Sequence, residues 1–220
     1  MMSKKAVLIG ATGLIGANLL KKLLANDNYE KVLVVTRKAL DTSHPNLNQL
    51  VINFDELSKY EHEIVGDDIF CCLGTTAKKT PDKALYKKID YQYPLDVAKI
   101  ALKNGAKSYH LVSAMGANVK SSIFYNRTKG EVERDLAKLN FDSTHIYRPS
   151  LLDGSRSEQR FAEKTMNVIM RLINPLLIGS LKKYRSIKIE KVASAMLKQA
   201  NKNLKGNYIY LSDEIENLGT

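Results

Sequence analysis

Short apolar runs alternate along this chain with longer stretches in which apolar residues recur every three or four positions. The run KAVLI (5–9) is followed by GATGLIG (10–16) and then by ANLLKKLLAN (17–26), whose Leu19, Leu20, Leu23 and Leu24 fall on one helical face. That order predicts a strand, a tight loop and a helix. KVLVVT (31–36), NQLVIN (48–53) and DDIFCCL (67–73) read as three further strands, each bounded by turn formers or charges. Residues 82–104 predict a helix marked by Leu85, Ile89, Ala98 and Leu102 and bent near Pro94. KSYHLVS (107–113) is a fifth strand, 123–139 a helix, and STHIYR (143–148) a sixth strand that ends before Pro149.

Strands separated by helices in this order imply a parallel sheet covered on both faces, the doubly wound α/β class. Beyond Pro149 the pattern loosens into SLLDGSRSEQ (150–159), an apolar helix around 158–173, a break at Pro175, a helix at 188–202 and a short strand NYIYL (207–211). The apolar stretch MNVIMRLINPLLIG (166–179) is expected to pack over the sheet first and to line a pocket second. No repeat, low-complexity segment or linker divides the chain, so residues 1–220 are expected to form a single domain.

Composition narrows the class. With 220 residues and 44% apolar content the chain can bury a substantial core. There is no uncharged apolar run of about 18 residues, and the start MMSKKAVLIGATG has no apolar region ending in small residues, so a soluble, unexported, cytoplasmic protein is expected. Cys71 and Cys72 are neighbours that a strand would point to opposite faces, which fits a reducing compartment. The four histidines show no paired metal spacing, and a structural role for those in strands is expected, with no metal site. The net charge of +11 would attract an anion, yet the lysines lie in scattered pairs, as on a solvated surface. Nucleic acid is therefore not an expected partner.

Gly10, Gly13 and Gly16 stand between the first strand and helix, where the backbone must turn tightly and approach a pyrophosphate without a Cβ in the way. The helix N-terminus then offers unpaired N–H groups to phosphate. A Rossmann sheet binding a dinucleotide follows. The second strand ends in Thr36, Arg37 and Lys38 rather than in a carboxylate. Two cations at that place favour a phosphorylated ribose over a free diol, hence NADP(H) over NAD(H).

Taken together, GATGLIG, LVSAMGA with Ser113, YNRTK twelve residues on and YRPSLL after the next strand resemble the short-chain dehydrogenase/reductase superfamily. SSIFYNRTKGEVERDLAKLNFDSTHIYRPSLL and KYRSIKIEKVASAM are similar to an atypical NADPH-binding group within it, and the likeness runs from about residue 5 to 215. The resemblance implies that Ser113, Tyr125 and Lys129 are the catalytic Ser, Tyr and Lys, and that residues 150–205 or so form a small extension on the substrate side. Chemistry agrees: Tyr, with an unperturbed pKa near ~10, exchanges a proton near neutrality only when a cation stabilises its phenolate, and a four-residue spacing puts both groups on one helix face. Ser113 would hydrogen-bond the substrate carbonyl while Tyr125 gives or takes its proton.

By the same likeness Gly10, Thr12, Gly13, Leu14, Ile15 and Gly16 surround the pyrophosphate, Arg37 and Lys38 read the ribose phosphate, and Asp55 lies near the adenine. Leu73, Gly74 and Thr75 would follow the fourth strand against the cofactor. Tyr125, Lys129, Arg148, Pro149, Ser150 and Leu151 would flank the nicotinamide and its ribose. Asp55 could instead cap the helix that follows it, and Gly74 could only shape a turn. One departure stands out: many members of the superfamily place an Asn in the helix before the Ser-bearing strand, and no Asn occurs between Thr76 and Lys103.

The function implied is an NADP(H)-dependent oxidoreductase acting on a small carbonyl or alcohol. The alternative is a non-catalytic NADP(H)-binding sensor that regulates a protein partner. A sugar-nucleotide epimerase or dehydratase would share Ser, Tyr and Lys, but the 72 residues after Arg148 (220 minus 148) leave little room for a large substrate lobe. A homodimer or a regulatory partner stays open.

Overall fold

The computed structural model of the protein describes residues 3–153, 174 and 177–220. Seven strands form one sheet: β1 (Lys4–Ile9), β2 (Tyr29–Thr36), β3 (Leu47–Val51), β4 (Asp68–Cys71), β5 (Ser108–Val112), β6 (Ser143–Arg148) and β9 (Gly206–Leu211). They pair in the order β3-β2-β1-β4-β5-β6-β9, and each pairing is parallel. This is the Rossmann-like α/β fold that the alternation predicts. Two short strands, β7 (Leu152–Asp153) and β8 (Ile187–Lys188), form a separate parallel pair that the pattern did not announce.

Strand alternation divides the core. On one face Ala6, Leu8, Val32, Val34 and Phe70 pack against α1 (Leu14–Leu24) and α5 (Ile189–Ala200). On the other, Val7, Ile9, Val35, Ile69 and Cys71 pack against α3 (Tyr93–Lys103) and α4 (Phe124–Leu136). Cys71 and Cys72 thus contribute to opposite faces, as expected of neighbours on a strand.

The predicted helix over 82–104 is instead three pieces: α2 (Lys83–Lys87), a π-helical turn (Lys88–Gln92) and α3. A π turn carries an extra residue per turn, so the inward face slips in phase and runs through Tyr86, Asp90 and Pro94. Leu85, expected as a core marker, is exposed for that reason. The wide turn also accommodates Pro94, which lacks an N–H to give to the preceding turn.

A 3-10 helix (Phe54–Glu63) follows β3, and its N-cap is Asn53, whose side chain accepts the Asp55 N–H. Asp55 is therefore not the cap. The chain closes with α6 (Ser212–Leu218), also unannounced by the pattern. The helix expected around 158–173 and most of MNVIMRLINPLLIG lie outside the described residues.

Candidate functional site

The site gathers where β1 and β4 lie side by side while their outgoing connections diverge, at the carboxyl ends of the strands. Gly10 adopts φ +83°, and a Cβ there would stand 2.5 Å from the Cys72 carbonyl carbon. A Cβ on Gly16 would meet the Gly10 oxygen at 2.2 Å. Those two glycines let loop, helix and β4 close on one another, while Gly13 serves as N-cap of α1 with no side chain closing the helix end.

A crevice of about 320 Å³ opens beside this loop. Of the expected cofactor residues it is lined by Gly13, Leu14, Ile15, Leu73, Gly74, Thr75, Tyr125, Lys129, Pro149 and Ser150, with Ser113 among them. Gly10 and Gly16 lie beneath it in the close contacts just described, and Thr12, next to them, is exposed. Leu152, the last residue of YRPSLL, lines the crevice as well, as do Cys72, Lys79 and Asp90, to which no motif pointed.

Tyr125 and Lys129, one turn apart on α4, both face the crevice. Tyr125 is 37% exposed and its ring meets Tyr86 edge-on at 6.3 Å between centroids. Lys129 is buried, with its Nζ 2.8 Å from Oδ1 of the fully buried Asp90. That contact is a buried ion pair. The other carboxylate oxygen accepts the Thr75 N–H at 2.9 Å. Burial opposes the charge on Lys129, but Asp90 and Tyr125 outweigh it and hold its pKa above the ordinary lysine value. Partial burial raises the pKa of Tyr125; Lys129 pulls it down, Asp90 pushes it up, and the net direction is upward.

Ser113 follows β5 directly, its N–H donating to the Tyr147 carbonyl at 2.7 Å. Its hydroxyl donates to Glu133, and the same carboxylate takes three contacts from the Arg148 guanidinium. The Ser113 proton is thus committed to a buried Glu–Arg pair, and its lone pairs, rather than its proton, are left for the crevice. The Arg148 side chain is committed to Glu133 in the same way. Glu133 was legible in principle: it follows Lys129 by four residues, as Lys129 follows Tyr125. Ser150 donates to the Arg185 carbonyl and shares a hydrogen bond with Ser212, while Leu151 is exposed.

At the far end of the loop, Arg37 and Lys38 are exposed beyond β2, with no ion pair to a described residue. Asp55 Oδ1 accepts from Lys88 Nζ at 3.0 Å and from the Tyr93 hydroxyl at 2.9 Å. Lys88 and Tyr93 hold its carboxyl below the usual range, and the Arg37 charge is near enough to draw Tyr93 downward, against the burial and Asp55 that lift that hydroxyl to about 12. Arg37, Asp55, Lys88 and Tyr93 therefore form one polar group.

Comparison with known families settles the class. A family described as NAD(P)H-binding matches residues 10–203. The chain belongs to the NAD(P)H-binding family. Among relatives of this family member, Protein HTATIP2 of Rattus norvegicus is 36% identical over 167 residues, covering 74% of this chain and 69% of its own. Protein FMP52, mitochondrial, of Candida albicans is 36% identical over 156 residues, covering 69% and 68%. These relatives bear out the resemblance drawn from the motifs. Among solved structures, a UDP-glucose 4-epimerase of Thermotoga maritima with UDP-glucose matches at TM-score 0.70 and 16% identity, over 98% of this chain and 81% of that one. MoeE5 in complex with UDP-glucose and NAD matches at TM-score 0.70 and 14% identity, over 93% and 74%. At such identities the likeness shows the fold alone.

One expectation is overturned. A cytoplasmic location was inferred from the absence of an export signal and from reduced cysteines, but the FMP52 relatives are named mitochondrial proteins. Composition by itself does not separate one cellular compartment from another. No described helix is long and apolar enough to cross a membrane.

Proposed function

We propose that this NAD(P)H-binding protein is an NADP(H)-dependent oxidoreductase of the short-chain type, working on a small carbonyl or alcohol. The observation that carries the reading is the convergence of Tyr125, Lys129 and Ser113 on the crevice that begins at the glycine loop. The residues fit a dinucleotide. Gly13 leaves the α1 end uncapped for phosphate, and a Cβ on Gly74 would project to 3.6 Å from Asp90 Oδ1 and 3.7 Å from Lys129 Nζ, at the mouth of the reactive group. Arg37 and Lys38 supply the cations that a 2′-phosphate requires. When bound, the dinucleotide supplies or accepts the hydride.

The chain's own part is to handle the proton. Tyr125 exchanges it with the substrate oxygen, and Lys129 supports that exchange through its charge. Ser113 offers lone pairs toward the same space. Thermal unfolding with NADPH, NADP, NADH or no ligand tests the cofactor: binding at 100 times Kd adds about 2.7 kcal/mol to the native state. NADPH should stabilise more than NADH; no shift with any nucleotide would overturn the reading. Tyr125→Phe should then cut turnover of a substrate found by carbonyl screening by about 100-fold or more, with nucleotide binding kept.

A second reading is a non-catalytic NADP(H) sensor acting on a protein partner. It is favoured by the commitment of the Ser113 proton to Glu133. Nucleotide stabilisation combined with no turnover across a broad set of aldehydes and ketones would select it.

A further inference from the structure

Asp90 has no counterpart in the motifs, yet it is the charged group most deeply set in the crevice. It is fully buried, contributed by the π turn, and reaches Lys129 at 2.8 Å while accepting the Thr75 N–H at 2.9 Å. A lone ammonium one helical turn from a tyrosine would favour the phenolate strongly. An ammonium paired with a carboxylate acts with a reduced net charge, so part of that effect is offset.

We infer that Asp90 is a positioning residue that, by offsetting part of the Lys129 charge, keeps Tyr125 protonated near neutral pH and so sets the site for carbonyl reduction rather than alcohol oxidation. The inference rests on the oxidoreductase reading above. The groups facing Tyr125 are Lys129 on its own helix, Tyr86 from α2 and Asp90 from the π turn, with Lys79 on the same crevice. In the reduction the Tyr125 O–H bond breaks and its proton goes to the carbonyl oxygen. The π pair of the carbonyl forms the new O–H bond, while the carbonyl carbon takes the hydride of the reduced nicotinamide, which is thereby oxidised. The phenolate left behind regains a proton from water.

The Tyr125 shift is upward chiefly through burial; Lys129 opposes it and Asp90 adds to it. The arrangement also accounts for the carboxylate's second bond. Through Thr75 it ties the loop after β4 to α4, so the oxygen that faces Lys129 is held in place rather than left to swing.

The test is tyrosine ionisation followed by NMR of 13Cζ-labelled tyrosine, with Tyr125→Phe assigning the signal. In the natural chain the signal removed by Tyr125→Phe should titrate above about pH 10, the unperturbed tyrosine value. Asp90→Asn, which keeps the shape and can still accept from Thr75, should lower that titration by about one pH unit or more. A Tyr125 that ionises below about pH 9 in the natural chain, or one unmoved by Asp90→Asn, overturns the inference. Should Asp90→Asn fail to fold, Asp90→Ser, which also removes the charge, takes its place in the same titration. The same samples are melted with and without NADPH. A shifted titration with no nucleotide stabilisation would sink the oxidoreductase reading and leave the electrostatic coupling standing, whereas stabilisation without the shift would do the reverse.

Discussion

Two crevices of nearly equal size lie at opposite ends of the sheet, about 330 Å³ at the amino ends of the strands and about 320 Å³ at the carboxyl ends. Each holds a buried aspartate paired with a lysine, Asp68 with Lys4 and Asp90 with Lys129. Size and charge do not tell them apart. Partners do. Asp68 accepts from Lys4 at 3.1 Å, from the Tyr29 hydroxyl at 2.6 Å and from Ser108 at 2.6 Å, and Ser108 continues to His110 and on to Tyr147. Its capacity is spent within the sheet, because Asp68 and Ser108 are register partners. Asp90 instead pairs with Lys129 in the crevice that Tyr125 and the start of α1 also line. Asp68 fastens strands to one another, whereas Asp90 shares its crevice with Lys129 and Tyr125.

Removing the fastener should have the largest effect on folding. Asp68→Ala leaves Lys4, Tyr29 and Ser108 without their acceptor and should cost about 3–5 kcal/mol in urea unfolding. NADPH stabilisation of the folded fraction should persist; its loss would break the distinction between the two ends. Next comes acid. His110 and His145 stack at 4.4 Å between Phe70 and Tyr208, and burial depresses both, His145 to about 4 from an ordinary 6.5. The unfolded chain binds a proton below pH 6.5 that the folded His145 refuses, so its share of stability is lost as the pH falls from 6.5 toward 4. That share is about 3 kcal/mol. Urea unfolding between pH 7 and 4 should be flatter in His145→Asn by about that amount, with His110 still contributing in the same direction. An unchanged slope would mean the stacked pair takes up protons while folded.

The smallest effect belongs to the carboxyl end. Arg37→Ala should weaken NADPH about tenfold, or 1.4 kcal/mol, with NADH little changed, as titration calorimetry would report. Equal losses for both nucleotides would make Arg37 a general contact rather than a reader of phosphate.

The alternation of strands and helices was legible because β1, β2, β4 and β5 are short apolar runs that the sheet buries on both faces, and local pattern and tertiary need coincide there. Tyr125, Lys129 and the three glycines were legible for a similar reason: helix periodicity and loop sterics act within a few residues. Leu85 was misread because a π turn changes the phase of a helix, and nothing in the spacing of apolar residues announces it. Asp90 was missed as a result, since its place on the inward face follows from that same slip.

By itself, then, the chain's residue order determined a parallel Rossmann sheet, a tight glycine loop at its first turn, and a Tyr and a Lys on one helix face. Folding alone decided the charge state of that face. Asp90 reaches Lys129 across 39 positions of sequence (129 minus 90), and Ser113 reaches Glu133 across 20. Whether a cation acts freely or is neutralised depends on distances of a few ångströms between groups far apart along the chain, because Coulomb energy follows separation in space and not in sequence.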